Sequence, residues 1–157
     1  MRAILRQRTH LSEDASGRRS VLFDQERKIV TACAEVLLPA GGAIPLSGID
    51  AGVVDYFDDV MARIPPTTRF LLRALLQFVE RSPLLYGPFR KPVTKLGLAE
   101  RRKVLFGLMN SRLYLLRTAF LGLRTVLTIA YFGNEEVNRT VGATPNLNPF
   151  AINEVAA

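Results

Sequence analysis

The chain has 157 residues, of which 48% are hydrophobic and 22% are charged, and its net charge is +7. This length suits one domain, and the hydrophobic content is ample for a core, which excludes wholesale disorder. Cys33 and His10 are the only residues of their types, so an internal disulfide and a thiol-rich metal site are excluded. No Ser/His/Asp set, glycine-rich phosphate loop or HExxH motif is present. We therefore expect no catalytic, cofactor-binding or metal-binding residue in this chain.

The N-terminal segment, residues 1–21, is basic and shows no periodicity, which predicts an extended arm. Its cluster of arginines and the net charge favour an anionic partner such as nucleic acid. The other arginines are scattered along the chain, which weakens that interpretation. Residues 1–30 lack the apolar stretch of a secretory signal peptide. The arginines of the cluster are Arg2, Arg6, Arg8, Arg18 and Arg19.

Two helices are predicted in the first half of the chain. The first begins at Asp24, whose carboxylate can accept the free N–H groups of a first helical turn, and it ends before Pro39. The loop over residues 38–48 is shaped by prolines and glycines, and it either packs on the core or forms a docking surface. The second helix begins at Asp50. Its exposed side carries three aspartates that are solvated or paired with arginines: Asp55, Asp58 and Asp59.

Pro66 can occupy the first position of a third helix, because its missing N–H is not needed there. Prolines and glycines recur over residues 82–97, so we expect the helix to give way to a structured connection near Ser82. A fourth helix begins at Leu98. The third helix is expected to turn Arg69, Arg73, Glu80 and Arg81 outward, and the fourth to bury Leu98, Val104, Leu105, Leu108 and Met109.

Residues 111–133 form the most apolar stretch and contain no proline and no acidic residue. Leucine and phenylalanine recur at spacings of three and four, which predicts a helix. Because the flanking positions are apolar too, this helix must be buried, either in a bundle or in lipid. Arg112, Arg117 and Arg124 interrupt it, and an arginine at mid-bilayer costs at least about 2.5 kcal/mol. We therefore predict the central helix of a bundle, with no transmembrane segment and with a narrow arginine edge.

A short helical turn capped by Asn134 follows, and then an extended tail over residues 143–157. No alternating strand pattern is longer than a few residues. The predicted fold class is therefore all-α: a single compact bundle of about five helices, residues 22–142, around a central apolar helix, with extended N- and C-terminal arms.

Four segments carry a resemblance to a known family: EVLLPAGG, AGVVDYFDD, YGPFRKPVTKLGLAERRKVL and TIAYFGNEEVNRTVG. In this order they resemble the small-subunit family known as gluconate 2-dehydrogenase subunit 3, over roughly residues 28–142. None of the shared pieces is a catalytic motif. The most family-like positions are Leu38-Pro39, Ala51-Gly52-Val53, Gly87, Phe89, Ala130-Tyr131-Phe132 and Gly142.

The resemblance implies a non-catalytic small subunit that binds and stabilises a large flavoprotein of the glucose-methanol-choline oxidoreductase type, acting on a sugar, glycoside or alcohol. The large subunit would hold the FAD and the active site, and some such complexes add a cytochrome subunit. Because this chain lacks an apolar export signal, we expect a cytoplasmic complex. The alternative is a periplasmic complex, exported with a partner that carries the signal.

Shaped apolar loops and a tail with spaced apolar residues are typical of a partner-binding module, in which aromatic and arginine side chains anchor the interface. Two alternatives stay open: a basic helical nucleic-acid-binding protein, and a peripheral membrane protein that uses the third helix and the basic arm. The candidate partner contacts are Ile44, Leu46, Tyr86, Phe89, Tyr131, Phe132, Pro145, Leu147 and Phe150.

Overall fold

The structure is a computed structural model. It describes residues 20–42, 44–86 and 89–142, and at residue 86 it describes the main chain only. These residues form helices and turns without a strand, which confirms the all-α bundle. The predicted arms, residues 1–21 and 143–157, lie outside the described residues apart from Ser20 and Val21. The elements are α1 (Asp24–Leu37), α2 (Val53–Arg63), α3 (Pro66–Tyr86), a 3₁₀ turn (Val93–Lys95), α4 (Leu98–Met109), α5 (Tyr114–Phe132) and α6 (Glu135–Thr140).

The core lies between α5 and the four helices that precede it. The inner side of α5 packs against α2, α3 and α4. Helix α1 packs against α3, α4 and the 3₁₀ turn. On α5, buried residues recur at spacings of four, three and four, as the sequence periodicity predicts. Those residues are Leu116, Phe120, Leu123 and Leu127, and they share the core with Ile29, Val30, Phe57, Met61, Leu76 and Leu105.

The starts of α1 and α2 differ from the predicted ones. Asp24 is the first residue of α1, and the cap position is Phe23, whose N–H donates to Glu26 Oε2 at 3.0 Å. Asp50 lies in a turn, where its carboxylate and N–H bond the hydroxyl of Ser47. Gly52 precedes α2 with a φ of +67°, a left-handed conformation that glycine adopts without steric cost. Both aspartates were predicted as caps because such positions favour Asp, but neither accepts from the first turn.

Helix α3 continues one turn beyond its predicted end and contains Pro83 inside it. A proline has no N–H, so the carbonyl of Val79, four residues earlier, has no helical donor. The buried Ser82 hydroxyl donates to this carbonyl at 2.8 Å. The neighbouring serine thus satisfies the carbonyl that the proline leaves free, and the helix continues to Tyr86.

Replacing Ser82 with alanine is expected to lower the free energy of unfolding by about 1–2 kcal/mol, because a buried carbonyl would be left without a donor. The matched control is Thr118→Ala, since the Thr118 hydroxyl bonds the Tyr114 carbonyl at 3.0 Å on the exposed side of α5. That change should stay within about 0.5 kcal/mol. Urea unfolding followed by circular dichroism measures the free energy of unfolding of both variants. Equal losses would contradict a stabilising role for the bond from Ser82 to the Val79 carbonyl.

Two acidic residues expected on the exposed side of α2 and α3 are enclosed instead. Asp58 is 7% exposed, and its Oδ1 accepts from the N–H groups of Val21 and Leu22 at 2.9 and 2.7 Å. Glu80 is 5% exposed and accepts from the side chain of Gln25 and from Thr94. The sequence pattern could not show these positions, because their partners lie far away along the chain.

Arginines surround the enclosed carboxylates. Arg27 bridges Asp55 at 3.0 Å and Asp58 at 3.4 Å. Arg73 lies 3.4 Å from the buried Glu26, and its guanidinium stacks over the Phe23 ring at 4.3 Å from the centroid. The predicted pairing with an arginine of a neighbouring helix is confirmed for Asp55 and Asp58, whereas Asp59 pairs with Arg63 within α2. Arg73, predicted to point outward, is part of this cluster because α1 packs against α3.

Candidate interaction surface

One side of α5 is both apolar and exposed. Leu121 is 62% exposed and Ile129 is 57% exposed, although α5 is among the most apolar segments of the chain. The expectation that this apolar helix is buried is wrong for its outer side in the described residues, since α2, α3 and α4 cover only its inner side. We call the exposed apolar residues the outer face of α5: Tyr114, Leu115, Leu121, Ile129 and Phe132.

The exposed apolar surface extends from α5 onto α3. A Cβ at Gly122 would lie 3.5 Å from Leu75 Cδ2, so the two helices approach closely at this point. Leu71 precedes Leu75 by one helical turn and therefore lies on the same side of α3. Leu71 and its neighbour Phe70 are 62% and 70% exposed. Single exposed apolar residues are ordinary on a monomer, but a contiguous patch indicates a contact surface.

Positive charge accompanies this surface. No acidic residue occurs between Arg101 and Asn134. Arg117 and Arg124 are exposed, so the arginine edge predicted for α5 does reach the surface. Within the described residues neither forms an ion pair with a carboxylate. Arg117 instead donates to the Ser111 carbonyl at 2.7 Å, and its guanidinium lies 6.0 Å from the Tyr114 ring centroid.

A pocket of about 320 Å³ opens at the end of the bundle where α3 ends and the chain passes from α4 to α5. Its walls are mainly apolar, and Lys103 is the charged residue among those that line it. Apolar pockets of this size are the usual sites for small ligands or for an anchoring side chain of a partner. The lining residues are Ser82, Pro83, Phe89, Lys103, Val104, Gly107, Leu108, Ser111, Leu113 and Leu116.

The structure separates the nine predicted contact residues into groups. Phe132 is exposed on the outer face, and Phe89 is half-buried in the wall of the pocket. Ile44 and Leu46 are half-buried against the core, so their loop packs on its own domain. The side chain of Tyr86 and all of Pro145, Leu147 and Phe150 lie outside the described residues.

Tyr131 is used within the chain. It is 6% exposed, and its hydroxyl donates to the Leu46 carbonyl at 2.7 Å. Burial raises the pKa of the Tyr131 phenol above its ordinary value, so it remains a hydrogen-bond donor at neutral pH. Its ring also meets Phe132 edge-on, with centroids 5.7 Å apart. Tyr131 therefore positions the 38–48 loop, and its ring is not presented on the surface of the isolated chain.

Of the outer face, sequence reasoning named Phe132 as a contact residue and missed the others: Tyr114, Leu115, Leu121 and Ile129. A signal for them was present, because α5 is apolar on nearly every side while the rest of the chain offers few helices to cover it. In the described residues α5 alone is long and apolar enough to cross a bilayer, with a mean hydropathy of 1.3 and 39% of that stretch buried. Core helices of bundles meet the same criterion, so this property does not separate the two environments.

Cys33 has an environment that suppresses thiol chemistry. It is fully buried on α1, and burial, assisted by the negative charge of Glu80, raises the pKa of its thiol to about 12. Since the thiolate is the reactive form, we expect the native chain to resist iodoacetamide near pH 8 and to be alkylated fully in guanidinium. Mass spectrometry of intact protein measures both states. Rapid alkylation of the native chain would contradict the burial of Cys33.

The described residues contain no group of three His, Cys, Asp or Glu side chains that could hold a metal ion. Comparison of the chain with protein-family models, curated protein sequences and solved structures finds no match. The features that bear on function are the outer face of α5, the pocket, and the residues that carry the family resemblance.

Proposed function

We propose that this chain is the small, non-catalytic subunit of a complex with a large FAD-dependent oxidoreductase of the glucose-methanol-choline type, which it binds and stabilises. FAD and the reaction on a sugar, glycoside or alcohol belong to the large subunit. The observation that carries the proposal is the outer face of α5, an apolar surface that the chain's own helices leave open. A cytoplasmic complex is part of the proposal, with a periplasmic complex exported alongside its partner as the alternative.

The composition of this surface supports a protein partner. Interfaces are enriched in aromatic residues and arginine and depleted in lysine. The outer face and the adjoining turns of α3 contain Tyr114, Phe132 and Phe70, and the cations on α5 itself are arginines. Interfaces of permanent complexes are also more apolar than transient ones. A permanently bound large subunit would cover this surface.

Segments that carry the family resemblance lie against one another in the fold. Tyr131 bonds the loop that follows Leu38-Pro39, and the Asn134 side chain donates to the Ala51 carbonyl at 3.1 Å. A Cβ at Gly133 would overlap the ring of Tyr56. These segments hold the end of α5 against the start of α2. These contacts are structural, which is consistent with a resemblance in fold. A shared fold without shared catalytic residues suits a subunit that binds a partner.

Co-expression with the flavoprotein encoded beside this chain tests the proposal. Size-exclusion chromatography with absorbance at the flavin band should show both chains in one peak, and flavoprotein activity should be lost when this chain is omitted. A well-folded, colourless chain that elutes apart from an active flavoprotein would overturn the proposal. So would stoichiometric FAD binding by this chain alone.

A peripheral membrane role is the second candidate, and one observation favours it. The outer face places Leu121 and Ile129 beside Arg117 and Arg124, an arrangement that also suits a helix lying in an anionic membrane surface. Sedimentation with vesicles of phosphatidylserine and phosphatidylcholine tests this role, and failure to sediment would remove it. The nucleic-acid alternative rests on charge alone, and salt-sensitive binding to random duplex DNA would revive it.

A further inference from the structure

We infer that the pocket formed by the end of α3 and the α4–α5 turn receives a bulky apolar side chain from an acidic segment of the partner. This inference rests on the proposed function and adds to it the chemistry of the segment that is bound. It assigns a second contact site, at the end of the bundle where α5 begins.

The pocket has the size and the walls of an anchor site. Its volume is about 320 Å³, and Val104, Leu108 and Leu116 form its buried floor. Two serines line it: the Ser82 hydroxyl donates to the Val79 carbonyl, and the Ser111 hydroxyl oxygen accepts from the Leu113 N–H at 3.1 Å. Binding energy at interfaces concentrates where an aromatic or aliphatic side chain fills a desolvated pocket of this kind.

Two cations lie at the opening. Lys103 lines the pocket, and Arg117 donates to the carbonyls of Ser111 and Arg112 at 2.7 and 3.3 Å. In the part of the chain that the structure describes, neither of the two has a carboxylate partner. Charges across an interface are arranged to be complementary, so the segment that enters should carry Asp or Glu beside its apolar anchor.

The surroundings favour a protein segment over a free acyl chain. Leu113 is 52% exposed at the edge of the pocket, and Phe106, 43% exposed, lies on the same side of α4 as Lys103. A polypeptide that inserts one side chain would also cover these two residues. A free acyl chain confined to the pocket would leave Phe106 exposed.

Gly107 permits a test that does not depend on disrupting the fold. It lines the pocket in the middle of α4, and a Cβ placed there meets no atom within 4 Å. Gly107→Leu should therefore fill the pocket opening, and leucine is a better helix former than glycine by about 0.8 kcal/mol. The matched control is Gly107→Ala, which raises helix propensity in the same way but leaves most of the pocket open.

The probe is a fluorescent synthetic peptide with a central phenylalanine flanked by glutamates, titrated into the purified full chain and followed by fluorescence anisotropy. Gly107→Leu should weaken binding about tenfold or more, as expected for the loss of one anchor contact, whereas Gly107→Ala should bind as the wild type does. A peptide with lysines in place of the glutamates should bind more weakly.

Equal binding by wild type and Gly107→Leu would overturn the inference, and so would a preference for the lysine peptide. Binding of palmitate or anionic vesicles that Gly107→Leu abolishes, without binding of the acidic peptide, would assign the pocket to lipid and overturn it too. The proposed function is judged separately by co-elution with the flavoprotein. If Gly107→Leu co-elutes with unchanged affinity, the inference fails while the proposed function stands.

Discussion

Asp58→Ala is expected to destabilise the chain by about 3 kcal/mol, among the largest losses from a single polar substitution in this protein. Its carboxylate accepts two backbone N–H groups and faces Arg27 at 3.4 Å in an enclosed position. Removal would leave the N–H groups of Val21 and Leu22 without an acceptor and Arg27 with one fewer counter-charge. Chemical denaturation measures the loss, and protection of the two amides from hydrogen exchange should fall as well.

The neighbouring Asp55 supplies the control. It pairs with the same arginine at 3.0 Å, but its side chain is 71% exposed. Exposed ion pairs contribute at most about 1 kcal/mol, so Asp55→Ala should cost far less than Asp58→Ala. If the two substitutions cost the same, the enclosed bonds of Asp58 to the 20–23 segment do not stabilise the fold as the geometry indicates.

The double substitution Leu121→Gln with Ile129→Gln is expected to weaken the complex with the large subunit about 100-fold or more, if each residue contributes at least about 1.4 kcal/mol to binding. Both side chains are more than half exposed in the isolated chain, so its stability should change by less than about 1 kcal/mol. Affinity is measured by titrating the labelled chain with its flavoprotein, and stability by thermal unfolding.

The inner side of α5 provides the opposite control. Leu127 is fully buried, and Leu127→Ala should cost about 2–5 kcal/mol of stability through the cavity it leaves. It should leave the affinity of the remaining folded chain nearly unchanged. A double glutamine variant that binds as tightly as the wild type would show that the outer face of α5 is not the contact surface for the large subunit.

Periodicity and helix-end residues predicted the elements of the fold closely. The end of α1 before Pro39, the first residues of α3 and α4, and the Asn134 cap are confirmed; Asn134 Oδ1 accepts from the N–H groups of Glu136 and Val137 at 2.8 and 3.2 Å. These features depend on residues within one or two turns, so a linear sequence displays them. The continuation of α3 through Pro83 was missed because the compensating donor is a side chain, Ser82, whose rotamer the pattern does not show.

The candidate site was less predictable, because exposure depends on which helices cover which side. Leu98 was predicted to face inward, yet it is 53% exposed at the first position of α4. Tyr131 was predicted to face a partner, yet a carbonyl in the 38–48 loop accepts its hydroxyl proton. Apolar residues occur on both the inner and the outer side of α5, so periodicity cannot distinguish the core side from the open side.

The polar bonds of α1 have a consequence for the order in which the chain acquires its structure during synthesis. Arg27 reaches Asp58, Gln25 reaches Glu80, and Glu35 meets Arg101, a residue 66 positions later. At about 5–20 residues per second, several seconds pass between the emergence of α1 from the ribosome and that of its last partner. During that interval the apolar stripe of α1 has no α4 to pack against. Helix α1 is thus synthesised early, and although its partners on α2 and α3 follow it soon, its contacts with α4 can form only after Arg101 has emerged.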